Sequence, residues 1–505
     1  MSAPSLDPIL PLPLDQALLK DVQDQARDFA YSHGVVMRMP HRPERSEVIC
    51  HAPYTLIPSP FPRVFFEKAK RLQQAINLLL YRVSQNRDFL TQTLSRTIEG
   101  DDFTGKLFKI YQQVHDEKIP KVSLFCFILI IFCYCCCFVY LQDIELGLLR
   151  TDYMLDTARG ESGNLALSMV EMNTMAASFA ALATNVTPLH RYVLGLCRKE
   201  FEPSCIPDNQ ANKGLAQAIV KAFHLYGQPS AAVFFIVTSK EPNIFDQRFL
   251  EYAITDCDHK IKVMRKTLGD IGHRGELTKD RRLFIDGTEV AVLYYRSCYT
   301  PHQFPTEFEW KGKLMGEQSR AVVSPSISWH LVGTKKIQQE LAKPGVLEQF
   351  VEDQEVTDFI RSSFAGQYSL DLTPEGDEAA RRGIENPRRY VMKPQREGGG
   401  NNIYDDEVRT MLEKLAGNQE REGFILMDRI LPPIHQNYLQ PCGVFDDLKL
   451  SKVMSELGIY GTIISHNGEV VLNESEGHLL RTKHTDENEG GVAAGASCVD
   501  SPFLT

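Results

Sequence analysis

The sequence predicts a mixed α/β (α+β) protein, and two patterns carry this prediction. In the N-terminal part, apolar residues recur at steps of three and four from Phe65 to Val83, which marks one face of an amphipathic helix. From Ala231 onward, apolar runs typical of buried strands alternate with helical segments. At about 150 residues per domain, the 505 residues suggest roughly three domains.

The chain after residue 230 predicts a small α/β domain followed by a C-terminal part. AAVFFIVT predicts a buried strand, IFDQRFLEYAITDC a helix, HKIKVMRK a second strand, and LFIDGTEVAVLYYR a hairpin that turns at Asp286-Gly287. Helices return after Gly333, RRYVMKP predicts a strand, and YGTIISHNGEVVLN predicts a hairpin that turns at Asn467-Gly468. The predicted parts are therefore a helix-rich part at 1–230, a small α/β domain at 231–335 and a C-terminal part at 336–505.

Charge and cysteine usage narrow the class of protein. The net charge of -10 argues against nucleic-acid binding, which needs clustered Lys and Arg to neutralise phosphates, so an anionic ligand must meet a local basic pocket. Seven of the twelve cysteines are scattered without a C-x-x-C pair, as in a reducing cytosol, and the N-terminus lacks a secretory pattern. These cysteines are Cys50, Cys197, Cys205, Cys257, Cys298, Cys442 and Cys498. We therefore expect a cytoplasmic (cytosolic) protein without a structural zinc site.

One segment matches the pattern of a phosphate-binding loop but lacks other features that such a loop requires. GDDFTGK, from Gly100 to Lys106, fits the pattern G-x-x-x-x-G-K. However, Leu107 stands where that loop needs Ser or Thr for the magnesium ion, and no predicted strand precedes it. We interpret the segment as a loop between two helices.

A second glycine-rich segment, VMKPQREGGGNNIY from Val391 to Tyr404, has the composition of a phosphate-binding lid. Three consecutive glycines, Gly398 to Gly400, give a backbone that can fold over phosphates and offer N–H groups to them. Lys393 supplies a point charge, and Glu397 could hold Mg2+. On composition alone, a flexible surface loop is the alternative.

Two further segments carry groups suited to a nucleotide site. Glu171 and Asn173, two apart in the predicted strand SMVEMNT, point to the same face and offer Mg2+ two oxygen ligands. Arg481 and Lys483 lie on one face of a short extended run, before a small-residue loop from Gly490 to Gly495 that could close over a ligand. A solvated strand pair and a plain turn are the alternatives for these two segments.

Six segments, in this order, resemble the eukaryotic glutathione synthetases, a family of ATP-grasp ligases. They are EMNT at Glu171–Thr174, NIFDQR at Asn243–Arg248, GTKK at Gly333–Lys336, KPQREGGGNN at Lys393–Asn402, SELGI at Ser455–Ile459, and LLRTK with GGVAAG near the C-terminus. The similarity extends from about residue 20 to the C-terminus, apart from an apolar stretch at 122–142. It implies an ATP-grasp fold in which 231–335 binds substrate and 336–505 contains a glycine-rich lid.

The resemblance also implies a reaction. The γ-phosphate of ATP moves to the cysteinyl carboxylate of γ-glutamylcysteine, and the amine of glycine attacks the acyl phosphate to form glutathione, ADP and phosphate. The implied cofactor is Mg2+, and the implied assembly is a homodimer. No covalent protein nucleophile is expected, because fixed positive charge stabilises the negative charge that develops on oxygens.

The same resemblance implies roles for individual residues of this chain. The implied Mg2+ ligands are Glu171, Asn173 and Glu397. The residues implied around ATP are Lys335, Lys393, Lys483, Glu397, Gly398, Gly399, Gly400, Asn401, Asn402, Tyr404, Met427, Ile430, Glu456 and Glu489, the last in place of the family's usual aspartate. The residues implied to bind γ-glutamylcysteine and glycine are Arg150, Ser178, Glu241, Asn243, Gln247, Arg296, Tyr299, Arg481, Val492 and Ala493. The implied catalytic residues are Arg150, Lys335, Lys393 and Arg481.

The apolar stretch KVSLFCFILIIFCYCCCFVYLQ, from Lys121 to Gln142, departs from the family pattern. Eighteen residues from Leu124 to Leu141 carry no charge and no proline, which is long enough for a membrane span. With 122–142 removed, EKIPK joins DIELGLLRTDYM in the family pattern without a gap. Because the terminal Val and Gln fit the codons at intron boundaries, we interpret these 21 residues as a translated retained intron, with a membrane anchor as the alternative.

Two classes of function stay open at this point. The first, which we favour, is an active ATP-dependent carboxylate-amine ligase, with a sister ligase that uses another amine acceptor as its near variant. The second is an inactive or membrane-associated isoform whose site is spoiled by the insertion, because Arg150 lies eight residues beyond the end of the insertion. A membrane span at this point would separate parts of one fold, which argues against membrane association.

Overall fold

The computed structural model of the chain describes residues 6–39, 41–118, 144–159, 165–396, 400–492 and 495–505. The apolar insertion at 122–142 lies outside these ranges, so both interpretations of it stay predictions. Within the described ranges, no helix has the length and apolar character that crossing a membrane requires. The described chain contains both helices and strands, as the sequence predicts for a mixed α/β protein, and the two types alternate mainly in its middle part.

The described helices include the amphipathic helix predicted between Phe65 and Val83, whose buried face contains Leu72, Ile76 and Leu79. In chain order they are Gln16–Ser32 (α1), Arg63–Gln85 (α2), Arg87–Leu94 (α3), Thr97–Gly100 (α4), Asp102–Lys118 (α5), Ala180–Leu196 (α6), Ala211–Tyr226 (α7), Ile244–Cys257 (α8), Leu268–Arg274 (α9), Glu307–Gln318 (α10), Ile327–Val332 (α11), Lys335–Leu341 (α12), Gln354–Arg361 (α13), Pro374–Glu385 (α14) and Asp406–Lys414 (α15).

The described strands range from two-residue bridges to two long strands near the C-terminus. They are Val36–Arg38 (β1), Ile49–His51 (β2), Tyr54–Thr55 (β3), Ser59–Phe61 (β4), Ile144–Asp156 (β5), Ala166–Asn173 (β6), Ala232–Ile236 (β7), Lys262–Lys266 (β8), Gly275–Leu277 (β9), Leu283–Ile285 (β10), Thr288–Tyr295 (β11), Val322–Ser324 (β12), Gln367–Ser369 (β13), Tyr390–Pro394 (β14), Phe424–Asp428 (β15), His435–Gln440 (β16), Leu450–His466 (β17), Glu469–His484 (β18), Cys498–Asp500 (β19) and Pro502–Leu504 (β20).

The largest sheet has the strand order β16-β3-β19-β18-β17-β5-β6. Its long hairpin, β17–β18, turns at Asn467-Gly468 as predicted, where φ angles of 53° and 80° suit the tight turns that join twisted strands. Strand β17 also pairs with β5, and β5 pairs with β6. Arg481 and Lys483 therefore lie in a 16-residue strand, and the prediction of a short extended run is wrong in length.

Apolar side chains cover both faces of this sheet. Leu457 and Ile459 of β17 belong to one core cluster, whereas Tyr460 and Ile464 belong to another. This division follows from the two-residue period of a strand, which sends neighbouring side chains to opposite faces. Helix α2 contributes to the first cluster, and helices α6 and α7 contribute to the second. Polar residues of β17 and β18 are therefore carried by a well-packed frame.

The elements predicted after residue 230 are confirmed. Strands β7, β8 and β11 pair in parallel, and α8 follows β7. The hairpin β10–β11 turns at Asp286-Gly287, with φ angles of 50° and 73°. These strands form a sheet in the order β8-β7-β11-β10-β9, with β12 beside β11. The division of the chain at residues 231 and 336 stays a prediction.

A three-stranded sheet in the order β13-β15-β14 carries the described part of the glycine-rich segment. The predicted strand RRYVMKP is confirmed as β14. Leu370, Met392, Leu412 and Leu426 form a small core between this sheet and helices α14 and α15. Because this core is separate from the two large clusters, we call the sheet and its helices the lid unit.

The GDDFTGK segment differs from its predicted form. Gly100 ends α4 and Asp102 begins α5, so Lys106 lies in a helix and not in a loop. Asp101 accepts the backbone N–H of Thr104 at 2.9 Å, which satisfies a free donor in the first turn of α5. The loop prediction missed this capping signal.

One pair of the scattered cysteines is bonded. Cys50 and Cys442 form a disulfide although 392 residues separate them in sequence. Their spacing gave no indication of this pairing, which the interpretation of scattered cysteines in a reducing cytosol did not include. The free ones are Cys197, Cys205, Cys257, Cys298 and Cys498.

Candidate active site

A cleft of ≈ 1240 Å³ lies where β5, β6, β17 and β18 meet the lid unit and the loop after β18. We call residues 485–492 of this loop the C-terminal loop. The predicted site residues that line it are Arg150, Glu171, Asn173, Ser178, Tyr299, Lys393, Gly400, Asn402, Tyr404, Met427, Ile430, Glu456, Arg481, Lys483, Glu489 and Val492. The described residues Lys335, Glu241, Asn243, Gln247, Arg296 and Asn401 lie off the cleft surface. Glu397, Gly398, Gly399 and Ala493 lie outside the described residues.

Glu171 stands at the edge of the cleft among cations. Its Oε2 atom lies 3.0 Å from Nζ of Lys335. Burial opposes the ionisation of Glu171, but the positive charges of Lys335, Lys393 and Arg481 outweigh burial and hold the pKa of this carboxyl well below its usual range. The folded chain therefore presents an ionised carboxylate here at neutral pH.

Asn173, two residues further along β6, has a fixed amide group. Its Nδ2 atom donates to Asp152 Oδ2 at 3.0 Å and to the carbonyl oxygen of Arg150 at 3.2 Å, which leaves its amide oxygen for a ligand. No group of three or more His, Cys, Asp or Glu side chains that could hold a metal occurs in the described part of the chain. A carboxylate and an amide oxygen are nevertheless hard donors that fit Mg2+, which completes its shell with water and phosphate oxygens.

Asp152 is a central residue of the site that the sequence patterns did not identify. Its fully buried carboxylate accepts from Arg150 Nε at 2.6 Å and Nη2 at 2.8 Å, and from Arg481 Nη2 at 3.1 Å. With the bond from Asn173, one carboxylate orients three predicted site residues. Arg481 also pairs with Glu456. A usable signal was present, because residues 150 and 152 are two apart in one strand and point to the same face.

Lys393 and Lys483 bring buried positive charge into the cleft. Lys393 Nζ donates to the carbonyl oxygen of Val170 at 2.9 Å, and Lys483 Nζ donates to that of Asn488 at 2.7 Å. Burial is the largest influence on both ammonium groups and lowers the pKa of each, although nearby carboxylates oppose it in part. Each ammonium has three N–H donors, so further donors remain for phosphate oxygens.

Glu489 connects the C-terminal loop to the glycine-rich segment. Its Oε2 atom accepts the backbone N–H of Gly400 at 3.0 Å, and its Oε1 atom accepts that of Asn402 at 3.2 Å. Tyr404 and Met427 line the same end of the cleft. This end, with aromatic, apolar and backbone polar groups, suits a purine nucleoside.

The turn after β6 carries Ser178 and links two arginines. Arg296 Nη1 donates to Ser178 Oγ at 2.9 Å and to the carbonyl oxygen of Ala176 at 3.1 Å. Arg150 Nη1 donates to the carbonyl oxygen of Ser178 at 3.2 Å. Ala176 and Phe179 have φ angles of 52° and 72°, in the left-handed region that non-glycine residues rarely adopt. The contacts of the surrounding side chains must therefore hold this turn.

Asp246 of α8 holds that turn through three hydrogen bonds to backbone N–H groups. Its carboxylate accepts the backbone N–H groups of Phe179 at 2.8 Å, Ala181 at 3.0 Å and Leu182 at 3.3 Å. These are free donors at the start of α6, where negative charge is also favoured by the helix dipole. Asp246 therefore fixes the turn without lining the cleft.

Glu241, Asn243 and Gln247 form a cluster behind Arg296 at the start of α8. Glu241 accepts the backbone N–H of Asn243 at 2.9 Å and Nε2 of Gln247 at 3.1 Å. Burial opposes the charge of Arg296, but Tyr294 and nearby carboxylates, that of Glu241 included, raise its pKa. The cluster thus places the Glu241 carboxylate near the Arg296 guanidinium, which carries its charge with or without this neighbour.

Comparison with known proteins decides the family. A family model described as eukaryotic glutathione synthase, ATP binding domain, matches residues 16–504. The chain belongs to this family. It is 42% identical over 491 residues to the glutathione synthetase of Xenopus laevis, covering 97% of this chain and 98% of the relative. Its identity to the chloroplastic glutathione synthetase of Solanum lycopersicum is 41% over 510 residues, covering 99% of this chain and 87% of the relative.

The human glutathione synthetase and one solved structure agree with this assignment. The Homo sapiens protein is 42% identical over 490 residues, covering 97% of this chain and 98% of the relative. The apo structure of a glutathione synthetase like-effector from Globodera pallida aligns with a TM-score of 0.72 at 20% identity, covering 99% of this chain and 100% of that chain. At that identity the likeness concerns the fold alone. The predicted family and the predicted α/β fold of ATP-grasp type are confirmed, and the roles of individual residues stay predictions.

Proposed function

We propose that this chain is an ATP-dependent ligase that joins γ-glutamylcysteine and glycine to form glutathione. Its membership of the glutathione synthase family and its nearly full-length relatives named glutathione synthetase support this activity. The structural observation that carries the proposal is one cleft lined by Glu171, Asn173, Lys393 and Arg481. An inactive isoform is not favoured, because the chain is 42% identical over nearly its full length to relatives named glutathione synthetase.

The phosphate half of the reaction would use β6 and the lysines. When bound, Mg2+ would supply positive charge that stabilises the phosphate groups, and we propose Glu171, Asn173 and Glu397 as its protein ligands. Lys393 and Lys483 would donate their remaining N–H groups to the same phosphates. The transferred phosphoryl group would then lie between fixed positive charges that need no rearrangement.

The carboxylate half of the reaction would use the arginines. Planar guanidinium groups bind carboxylates through two parallel hydrogen bonds, which fixes orientation as well as charge. Arg150 and Arg481 converge on Asp152, and Arg296 reaches the same region through Ser178. We propose that they hold the carboxylates of γ-glutamylcysteine and glycine close to the γ-phosphate, so that positioning replaces a covalent protein nucleophile.

Glutathione formation is expected only in the complete mixture of chain, Mg2+, ATP, γ-glutamylcysteine and glycine, with each component omitted in turn as a control. Each omission should reduce thiol tripeptide and phosphate release to background. Release of phosphate with another amine and not with glycine would indicate a sister ligase. A parallel variant lacking 122–142 tests whether the insertion impairs the site. Absence of ATP-dependent product from both proteins would contradict the proposal.

Nucleotide binding is expected to take up protons in alkaline solution, because burial lowers the pKa of Lys393 and Lys483 in the free protein. Each lysine thus loses its proton at a lower pH than a lysine in water, while bound phosphate favours the charged form. Affinity should therefore fall as the pH rises through the lowered pKa. Calorimetry of ADP binding in two buffers of different ionisation enthalpy measures the uptake, and Lys483→Met should reduce it. Equal heats in both buffers would count against the prediction.

The assembly and the location of the protein are proposals that rest on family membership. We propose a homodimer in the cytosol, with the small α/β domain at 231–335 binding substrate. Relatives from Solanum lycopersicum and Arabidopsis thaliana are named chloroplastic, so the family includes proteins of more than one compartment.

A further inference from the structure

Three polar side chains meet at the nucleotide end of the cleft, where three separate segments come together. Arg429, which follows β15, contacts Asp405 Oδ1 through Nη1 at 2.5 Å and Asn488 Oδ1 through Nη2 at 2.8 Å. Asn488 Nδ2 donates to Asp405 Oδ2 at 3.4 Å, which closes the triangle. The three residues therefore connect the start of α15, the end of β15 and the C-terminal loop.

Each member of this triad is a sequence neighbour of a residue with a proposed nucleotide role. Asp405 follows Tyr404, Arg429 precedes Ile430, and Asn488 precedes Glu489. The Arg429 guanidinium also lies 5.8 Å from the centre of the Tyr404 ring, within the range of a cation–π contact. A movement of the triad would therefore displace several groups around the adenosine at once.

Three further hydrogen bonds extend the triad into the site. The carbonyl oxygen of Asn488 accepts from Lys483 Nζ at 2.7 Å, and Glu489 accepts the backbone N–H groups of Gly400 and Asn402. Two consecutive residues of the C-terminal loop therefore contact the lid unit. Asn488 contacts Arg429 and Asp405, and Glu489 contacts the backbone of residues 400 and 402. Asp405 itself has a φ of 52°, an unfavourable conformation that its contacts help to hold.

We propose that Asp405, Arg429 and Asn488 form a latch that holds the lid unit against the C-terminal loop and positions Tyr404, Ile430 and Glu489 around the nucleotide. The inference rests on the proposed function, since it takes a nucleoside polyphosphate as the ligand. The side chains of Arg429 and Asp405 are 28% and 42% exposed, so the pair contributes little to global stability. The pair lies within the lid unit, and the contacts of both side chains with Asn488 connect it to the C-terminal loop.

Arg429→Ala is expected to weaken ADP binding in the presence of Mg2+ about tenfold, the effect of losing charge-assisted hydrogen bonds at one side chain. Arg429→Lys should recover only part of this loss, because a single ammonium cannot span Asp405 and Asn488 as a planar guanidinium does. The KM for ATP should rise while the KM for γ-glutamylcysteine changes little. Calorimetry and steady-state kinetics give these values.

Hydrogen exchange supplies a readout that does not depend on catalysis. With ADP bound, the amides of residues 400–405 should exchange faster in Arg429→Ala and in Asp405→Asn than in the unmodified chain. Arg381→Ala is the matched control: Arg381 lies in the same lid unit, pairs with Glu378 and Glu385, and is 56% exposed, but it does not line the cleft. It should change neither exchange nor ADP affinity.

The outcomes separate the latch from the ligase activity. If the unmodified chain binds ADP but forms no glutathione, the proposed function fails while the latch can still be measured. If Arg429→Ala and Asp405→Asn bind ADP as tightly as the unmodified chain, or if Arg381→Ala weakens binding equally, the latch is overturned. Failure of the unmodified chain to bind ADP would overturn both. Asp405→Asn keeps the size of the side chain and so provides the test if Arg429→Ala does not fold.

Discussion

Glu171→Gln is expected to lower the kcat of glutathione formation by about 10²- to 10³-fold, the usual effect of removing one electrostatic group aimed at the reacting atoms. The amide keeps the shape of the side chain but removes a negative charge that Lys335, Lys393 and Arg481 face. It is also a poorer ligand for Mg2+ than a carboxylate. Steady-state kinetics over a range of Mg2+ concentrations should show that half-maximal activity requires more Mg2+ than in the unmodified chain.

A double variant separates metal binding from simple charge balance. Glu171 and Lys335 form an ion pair at 3.0 Å, so the single variant should also lower the Tm by removing a carboxylate partner of a buried lysine. Glu171→Gln with Lys335→Met restores the balance of charge and should recover part of the lost Tm but none of the activity. Unmodified kcat in Glu171→Gln at limiting Mg2+ would rule out a metal-binding role for this carboxylate.

The sequence correctly predicted those helices, strands and turns whose periodicity or turn residues lie within one short stretch of the chain. The apolar face of α2, the strands β7 and β8, and the hairpins at Asp286-Gly287 and Asn467-Gly468 each have a period or a turn signal of a few residues. In these cases local preference and tertiary packing favour the same conformation. Predictions of this kind could therefore be made without knowing the neighbours of each element in space.

Contacts between distant segments could not be predicted in the same way. The pairing of β17 with β5 and β18 brings residues near 150 next to residues near 480, and no sequence period reports that register. The disulfide between Cys50 and Cys442 has the same origin. The resemblance to a family nominated Arg150, Asn173 and Arg481 separately, but only the paired strands show that one carboxylate holds all of them.

That carboxylate belongs to Asp152, and its replacement should affect both halves of the reaction. Asp152→Asn keeps the volume of the side chain but leaves Arg150 and Arg481 with a neutral partner inside the protein. Breaking a buried ion pair from one side should reduce the free energy of unfolding by about 3 kcal/mol. Chemical denaturation measures this loss. The same substitution in an ion pair exposed to solvent would change the free energy of unfolding much less.

The kinetic effect of Asp152→Asn should have two components. The KM for γ-glutamylcysteine should rise because Arg150 is no longer held in one orientation, and kcat/KM should fall about 10²-fold. Half-maximal activity should also require more Mg2+, because Asn173 Nδ2 loses a charged acceptor and its amide oxygen is no longer fixed.

Asp246→Asn is the matched control, because Asp246 holds the Ser178 turn and lies beside Arg296 but has no contact with Asn173. It should raise the KM for γ-glutamylcysteine without changing the Mg2+ requirement. If both variants change the Mg2+ requirement equally, the effect is a general loosening of the site. If Asp152→Asn changes only stability, Asp152 supports the strands and does not position the groups that bind metal and substrate.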